Sequence, residues 1–326
     1  MRLMIRAWMI CRPKSWPRGA SAAVVGVAIL ATTGCGDPLK RPELIEETRV
    51  IGARAGVVGD EAEARPDPGQ SVRVTWLVAY PGEPAPLSWA MWACPAIPVS
   101  YGTPQCADVP LVLEERDEPV TAPVELVFDV PDADSTSYDE IAVSGVMCTR
   151  GAPRLGDSLA ASGCDDPAAA VHRVTFPVTI ARNGDHNRNP SLDQAVHSLD
   201  ADPWPAPAGG TGVAGDCANA PDLPVVEPGS HHVLRLEIDD SEREALHSDQ
   251  AFSPSREELQ ISHFATDGAL ARPYSGIAAD EPNRVEVGWV APEEVGTGGT
   301  IVRFYFVARD LRGGVGWTVR AVCVAP

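Results

Sequence analysis

The chain has 326 residues, 44% of them hydrophobic, a composition that excludes an intrinsically disordered protein. Its 45 acidic against 26 basic residues give a formal net charge of −19; such a surface repels phosphate backbones, so nucleic acid is not expected as a partner. Thirty-one prolines, roughly twice ordinary usage, argue against a fold of long helices.

The first predicted element is a leader. Residues 1–19 hold Arg2, Arg6, Arg12, Lys14 and Arg18 and no acid, and "ASAAVVGVAILA" (20–31) is uncharged and mostly apolar. As a helix that run reaches about 18 Å, short of the ~30 Å hydrocarbon core of a bilayer. A positive stretch followed by a short apolar one reads as a cleaved export signal over residues 1–34. The run ends in Thr32-Thr33-Gly34-Cys35, which resembles the bacterial lipobox, where small residues precede a cysteine that is diacylated and becomes the new N-terminus. The resemblance implies lipidation at Cys35, a tether over residues 35–46, and a protein anchored to a membrane rather than spanning it. Gly36, where an Asp would favour retention in the inner membrane, implies the outer one. Removing residues 1–34 would take away five positive charges and no negative ones, making the chain still more acidic.

Cysteine arithmetic agrees. Cys11 leaves with the leader and Cys35 carries lipid, so six cysteines remain: Cys94, Cys106, Cys148, Cys164, Cys217 and Cys323. An even set in an exported chain predicts a complete disulfide framework. Fifteen pairings are open; sequence distance favours Cys94 with Cys106, Cys148 with Cys164 and Cys217 with Cys323.

After the tether, period-two alternation begins. "SVRVTWLVA" aligns Val72, Val74, Trp76 and Val78; "VELVFDV" aligns Val124, Leu126, Phe128 and Val130; "HRVTFPVTI" aligns His172, Val174, Phe176, Val178 and Ile180. These are half-buried strands whose other face meets water. Residues 47–182 are expected to form one antiparallel β-sandwich. "NGDHNRNP" (183–190) is rich in turn formers and is placed as a linker. Residues 191–326 are expected to form a second sandwich with a long N-terminal loop. Its strands include "HVLRLEI", "RVEVGWV", "TIVRFYFVARD" and "VGWTVRAVCV", the last two joined through Gly313-Gly314. "DDSEREALHSD" (239–249) is the one short-helix candidate, with Ser241 and Glu244 spaced as a capping box. The closing segment "VRFYFVARDLRGGVGWTVRAVCV" resembles the final hairpin of Ig-like domains in bacterial surface proteins. The predicted fold class is therefore all-β: two antiparallel β-sandwich, Ig-like or fibronectin-like domains after a cleaved signal peptide. The whole chain resembles bacterial lipoproteins with paired β domains.

Several motifs bear on chemistry. "GDSL" (156–159) resembles the nucleophile block of the GDSL esterases and lipases, which implies Ser158 as a nucleophile; that family also needs a D-x-x-H, and no Asp here has a His three residues on. "DHNRNP" (185–190) places Asp185, Asn187 and Asn189 at the first alternating ligand positions of an EF-hand loop, but the sixth and twelfth positions are Pro190 and Val196. The same residues resemble the calcium-binding linker of cadherins, which implies calcium as an alternative to a plain polar turn. His231 and His232 are adjacent and point to opposite faces of a strand, so a shared metal is not expected. Trp89, Trp92 and Trp204 line either a sugar-binding surface or the cores. The reading that best fits all of this is a membrane-anchored, non-catalytic envelope protein, without cofactor or metal, that binds or supports an envelope protein or polysaccharide. A Ser158 esterase and a calcium-stiffened adhesion module are the alternatives.

Overall fold

Alternating Val72, Val74 and Trp76 in one strand face Val124, Leu126 and Phe128 in its neighbour, and the six side chains build the first buried face. The structure is a computed structural model that describes residues 41–97, 105–106, 110–121, 123–132, 138–246 and 256–326. The predicted leader, Cys35 and the start of the tether lie outside the described residues. Among those described there is no α-helix, and the chain is all-β.

The N-terminal strands are β1 (Arg49–Val57), β2 (Ser71–Ala79), β3 (Leu87–Ile97), β4 (Gln105–Cys106), β5 (Val112–Val120), β6 (Val124–Asp129), β7 (Glu140–Cys148), β8 (Pro153–Arg154), β9 (Gly163–Cys164) and β10 (Val171–Thr179). One sheet has the order β1-β2-β6; the sheet facing it has the order β10-β7-β3-β4, with β5 also on β3. The two sheets enclose a common core, which makes this half a β-sandwich.

The C-terminal strands are β11 (Val196–Leu199), β12 (Asp202–Pro203), β13 (Val225–Val226), β14 (His231–Glu237), β15 (Leu259–Ala265), β16 (Ala269–Leu270), β17 (Tyr274–Ile277), β18 (Arg284–Val290), β19 (Thr300–Arg309) and β20 (Val315–Val324). Their sheets run β12-β11-β14-β18-β16 and β13-β20-β19-β15-β17, and β13 lies parallel to β20. Each sandwich encloses its own core. One is centred on Trp76, Met91, Leu126 and Ile141, the other on Trp204, Trp289, Phe304 and Phe306.

A third core joins them. Ile51 of β1 and Leu77 and Ala79 of β2 pack with Tyr305, Val307, Val315 and Val319 of β19 and β20, and Ile45 is buried among them. This changes the alternation expected of β19. Val302, Phe304, Phe306 and Ala308 face the C-terminal core as predicted, but Arg303, Tyr305 and Val307 are buried too, because the β1–β2 sheet covers that face. A strand covered on both faces loses its polar side. Arg303 is tolerated there because its guanidinium donates to Thr211 O at 2.8 Å, Tyr80 O at 2.6 Å and Gly82 O.

The helix expected over 239–249 is not formed within its described part. Asp240–Glu242 make a single 3-10 turn capped by Asp239, whose carboxylate accepts from Ser241 N–H at 2.9 Å. The chain then extends, because Arg243 turns inward, 3% exposed, and donates to Glu257 O at 2.9 Å and Ala278 O at 2.7 Å.

Candidate functional site

The stretch 183–190, expected as a polar linker, is instead clamped on both sides. Ala64 N–H donates to Asn187 O at 2.7 Å and Asn189 N–H to Ala62 O at 2.7 Å, so the segment pairs with the loop after β1. On its other side lie Gly314, just before β20, and Gly316 within it, where a Cβ would strike the carbonyl oxygens of Arg188 and Pro190 respectively. Each calcium candidate has a side-chain partner, although the Asn187 Oδ1 is buried without one. Asp185 pairs with Arg65 and with Arg312 (3.1 Å). Asn187, fully buried, donates to Asp310 at 2.8 Å. Asn189 donates to Ala55 O at 2.6 Å and accepts from Val315 N–H at 2.9 Å. Two guanidinium groups lie against the carboxylate a cation would need, and no cluster of metal-ligating side chains is found among the described residues.

Arg312 is the hub of this junction. It reaches Glu257 at 2.6 Å, Glu244 at 3.1 Å and Asp185. Burial pushes the Glu257 carboxyl up to about 7, against the opposing pull of Arg312. Removing the cation strands a buried carboxylate. Arg312→Ala should therefore lower stability by about 3 kcal/mol at pH 8 and clearly less at pH 6, where Glu257 takes up a proton. Urea midpoints at the two pH values measure this; equal losses at both would refute the role given to Glu257.

Ser158 sits in the loop closed by the Cys148–Cys164 disulfide. It caps a 3-10 turn, Leu159–Ala161, its Oγ accepting from Ala161 N–H at 3.2 Å and its carbonyl accepting from Ser162 Oγ at 2.9 Å. A cleft of about 700 Å³ lined by Trp92, Leu113, Leu155 and Ser158 opens beside it. Among the described residues no histidine is hydrogen-bonded to Ser158, so nothing in this loop withdraws its proton. The other two disulfides are Cys94–Cys106 and Cys217–Cys323, so all three pairs are those that sequence distance favours.

His232 lies on β14, next to His231. In the structure its Nδ1 lies 2.9 Å from Asp200 Oδ2 and its Nε2 2.6 Å from Ser230 Oγ. Burial opposes ionisation of Asp200, but hydrogen bonds from Val233 N–H and His232 hold its carboxyl below the usual range. The Ser230 hydroxyl is 2.5 Å from Glu227 O, and Ser230 N–H donates to the same oxygen at 3.2 Å. The three side chains thus pin the turn that enters β14. Sequence reading could not join Asp200 to His232, because the link is a tertiary one across the β11–β14 pair. Two of the tryptophans proposed for a sugar surface, Trp89 and Trp204, are 3% and 2% exposed and belong to the cores. Trp204 donates its indole N–H to Ala321 O at 2.8 Å.

A second cleft, about 610 Å³, opens where β1 and β10 end their sheets side by side. Arg49, Arg173 and Arg309 line it together with His172, Trp76 and Phe176. The arginines bond to neutral oxygens: Arg49 donates to Pro42 O, Arg173 to Leu159 O and Ser162 O, Arg309 to Ile51 O and Ser262 Oγ. Among the described residues none of the three forms an ion pair. In a chain of net charge −19 this is a local concentration of positive charge, with the Glu47 carboxylate near His172 as the acid acting on the same cleft.

No family model matches the chain, and no curated protein matches it. Among solved structures it is similar to a mutant Salmonella alpha-2-macroglobulin, at 12% identity and a TM-score of 0.20, over 84% of this chain and 16% of that chain.

Proposed function

We propose that the protein is a lipid-anchored envelope protein, held at the outer membrane through Cys35, that acts by binding or structural support and not by catalysis. The observation that carries this reading is the cysteine pairing. The six cysteines after the tether satisfy one another in three disulfides, so none of them is a partner for Cys35. A lone cysteine directly after an apolar export signal is the residue a lipoprotein needs. The attachment of the tether supports the same reading. Ile45 N–H donates to Ala265 O at 2.8 Å and Ala265 N–H to Glu43 O at 2.9 Å, alongside β15. Eight residues from Cys35 to Glu43 span at most about 28 Å, so an acyl anchor would hold the sandwiches near the bilayer. Two sandwiches joined through a shared apolar core form a stiff body suited to presenting a surface.

Cys35→Ser tests the anchor. The wild-type chain should sediment with outer membranes and show the mass of a diacylated N-terminal cysteine with six other cysteines oxidised. The variant should lose the lipid mass and leave the membrane fraction. A wild-type protein recovered soluble and unacylated would overturn the reading.

A further inference from the structure

The backbone of β10 has one edge with no partner. Thr149 N–H donates to Ala170 O at 3.3 Å and Ile180 N–H to Asp139 O at 2.9 Å, just beyond the two ends of an unbroken β10–β7 ladder. Even-numbered residues of β10 therefore turn their N–H and C=O toward β7, and Val171, Arg173, Thr175 and Pro177 turn theirs outward. Pro177 agrees with this parity, since a proline in a strand must present its nitrogen on the free edge. The structure gives the outward backbone groups of Val171, Arg173 and Thr175 no partner among the described residues.

The neighbouring edge of β1 is not free in this way. Ile51 O accepts from Arg309 at 3.0 Å, Ala55 O accepts from Asn189 at 2.6 Å, and Val57 N–H donates to Glu63 O at 3.0 Å. The two edges thus differ: β1 has backbone groups at Ile51, Ala55 and Val57 engaged by other segments, whereas β10 offers the donors and acceptors of Val171, Arg173 and Thr175. Open edges are templates for strand pairing, and proteins usually cover or blunt them. Here the open edge borders the cleft that carries the unpaired charges of Arg49, Arg173 and Arg309.

We propose that β10 is a strand-addition site for an extended segment of a partner protein that carries carboxylate side chains. Its backbone pairs with Val171, Arg173 and Thr175, and its carboxylates enter the cleft between β10 and β1 to meet the three arginines. Main-chain bonds supply affinity in this mode, and the charged cleft supplies selection. Pro177 ends the pairing stretch, so the docked segment is about six residues long. The inference deepens the binding role proposed above and does not depend on the anchor.

The test uses the processed full-length protein and a fluorescein-labelled, N-acetylated octapeptide of alternating Val and Glu, with its Val–Lys analogue as control. Anisotropy at 0.15 M salt should show binding of the Glu peptide and at least ten-fold weaker binding of the Lys peptide. Thr175→Pro removes one outward N–H and keeps the backbone ladder to β7, losing there only the Thr175 hydroxyl contact with Ser144, so it should weaken binding at least ten-fold. Arg173→Glu should do the same without any change to the backbone. Hydrogen exchange of wild type should show new protection at the amides of Arg173 and Thr175 on peptide addition, a readout that needs no variant to fold. No binding, equal binding of the two peptides, or binding indifferent to both substitutions would overturn the proposal. So would a peptide-free dimer abolished by Thr175→Pro, since the edge would then serve a second copy of this chain. Failure here with correct acylation at Cys35 leaves the anchored reading standing; soluble, unacylated protein that still binds the peptide does the reverse.

Discussion

Between pH 7 and pH 4 two buried histidines should cost the protein about 6 kcal/mol of stability, of which Glu257 returns about 3. His197 and His263 are 4% and 1% exposed. Burial first, and then the charge of Arg320, pushes His197 down to about 3. Burial pushes His263 down to about 4, against the hydrogen bond to Arg272 O. Both stay neutral in the folded protein, while in the unfolded chain they titrate near the ordinary value of about 6.5. Below pH 6.5 the unfolded chain takes up protons that the folded one refuses, so stability falls as pH falls. The loss reaches about 3 kcal/mol for each group by pH 4. Glu257 works in the opposite sense: its carboxyl, raised to about 7, keeps a proton in the folded state that the unfolded chain releases above about 4.5. It therefore offsets part of the loss between pH 7 and 4.5 and nothing more below that. Urea midpoints across this range should show a continuous decline that amounts to about 3 kcal/mol net by pH 4. His197→Gln and His263→Gln should each flatten the profile, and profiles parallel to wild type would rule out the buried histidines as its source.

Removal of the Cys217–Cys323 disulfide by the double substitution to alanine should lower stability by about 4–5 kcal/mol. The bridge spans 106 residues, against 12 and 16 for the other two, and a longer closed loop restricts the unfolded chain more. It also fastens the loop that carries Val213, Cys217 and Leu223 onto β20, where those residues pack over Ile301 and Ala321. Removal of either short bridge should lower stability by about 3 kcal/mol. Denaturant titration of the three double variants gives the ranking. A short bridge proving the most stabilising would show that local strain or packing, rather than chain restriction, governs these disulfides.

Much of the fold is legible in residue order. Alternation identified β2, β6, β10, β14, β18 and β19, because a side chain every second residue must choose between core and water wherever one face is covered. The cysteines were legible as an even set of six whose pairings locality ranks, two of them closing loops with separations of 12 and 16 residues. The misreadings cluster at the junction. Asp185, Asn187 and Asn189 have the composition of a solvated turn, yet Asn187 is fully buried and Asn189 nearly so. A buried amide needs hydrogen-bond partners, and here Asp310 meets the Asn187 Nδ2 while Ala55 and Val315 meet the Asn189 amide, all of them distant in the chain. Arg243 likewise prevented a helix by finding carbonyl partners that no local pattern foretells.

Sequence alone determined the all-β class and the faces of the half-buried strands, ranked the disulfide pairings, and supplied the expectation of an anchored, acidic surface protein. These depend on local periodicity, on composition and on short separations along the chain, all of which are present before folding. Only the tertiary structure decided that β19 and β20 are buried on both faces, that the 183–190 segment is a clamp, that His232 joins Asp200 and Ser230, and that β10 keeps a free edge beside three unpaired arginines. Each of these depends on which groups from remote segments come within hydrogen-bond or packing distance, a property of the assembled sheets that no single stretch of the chain encodes.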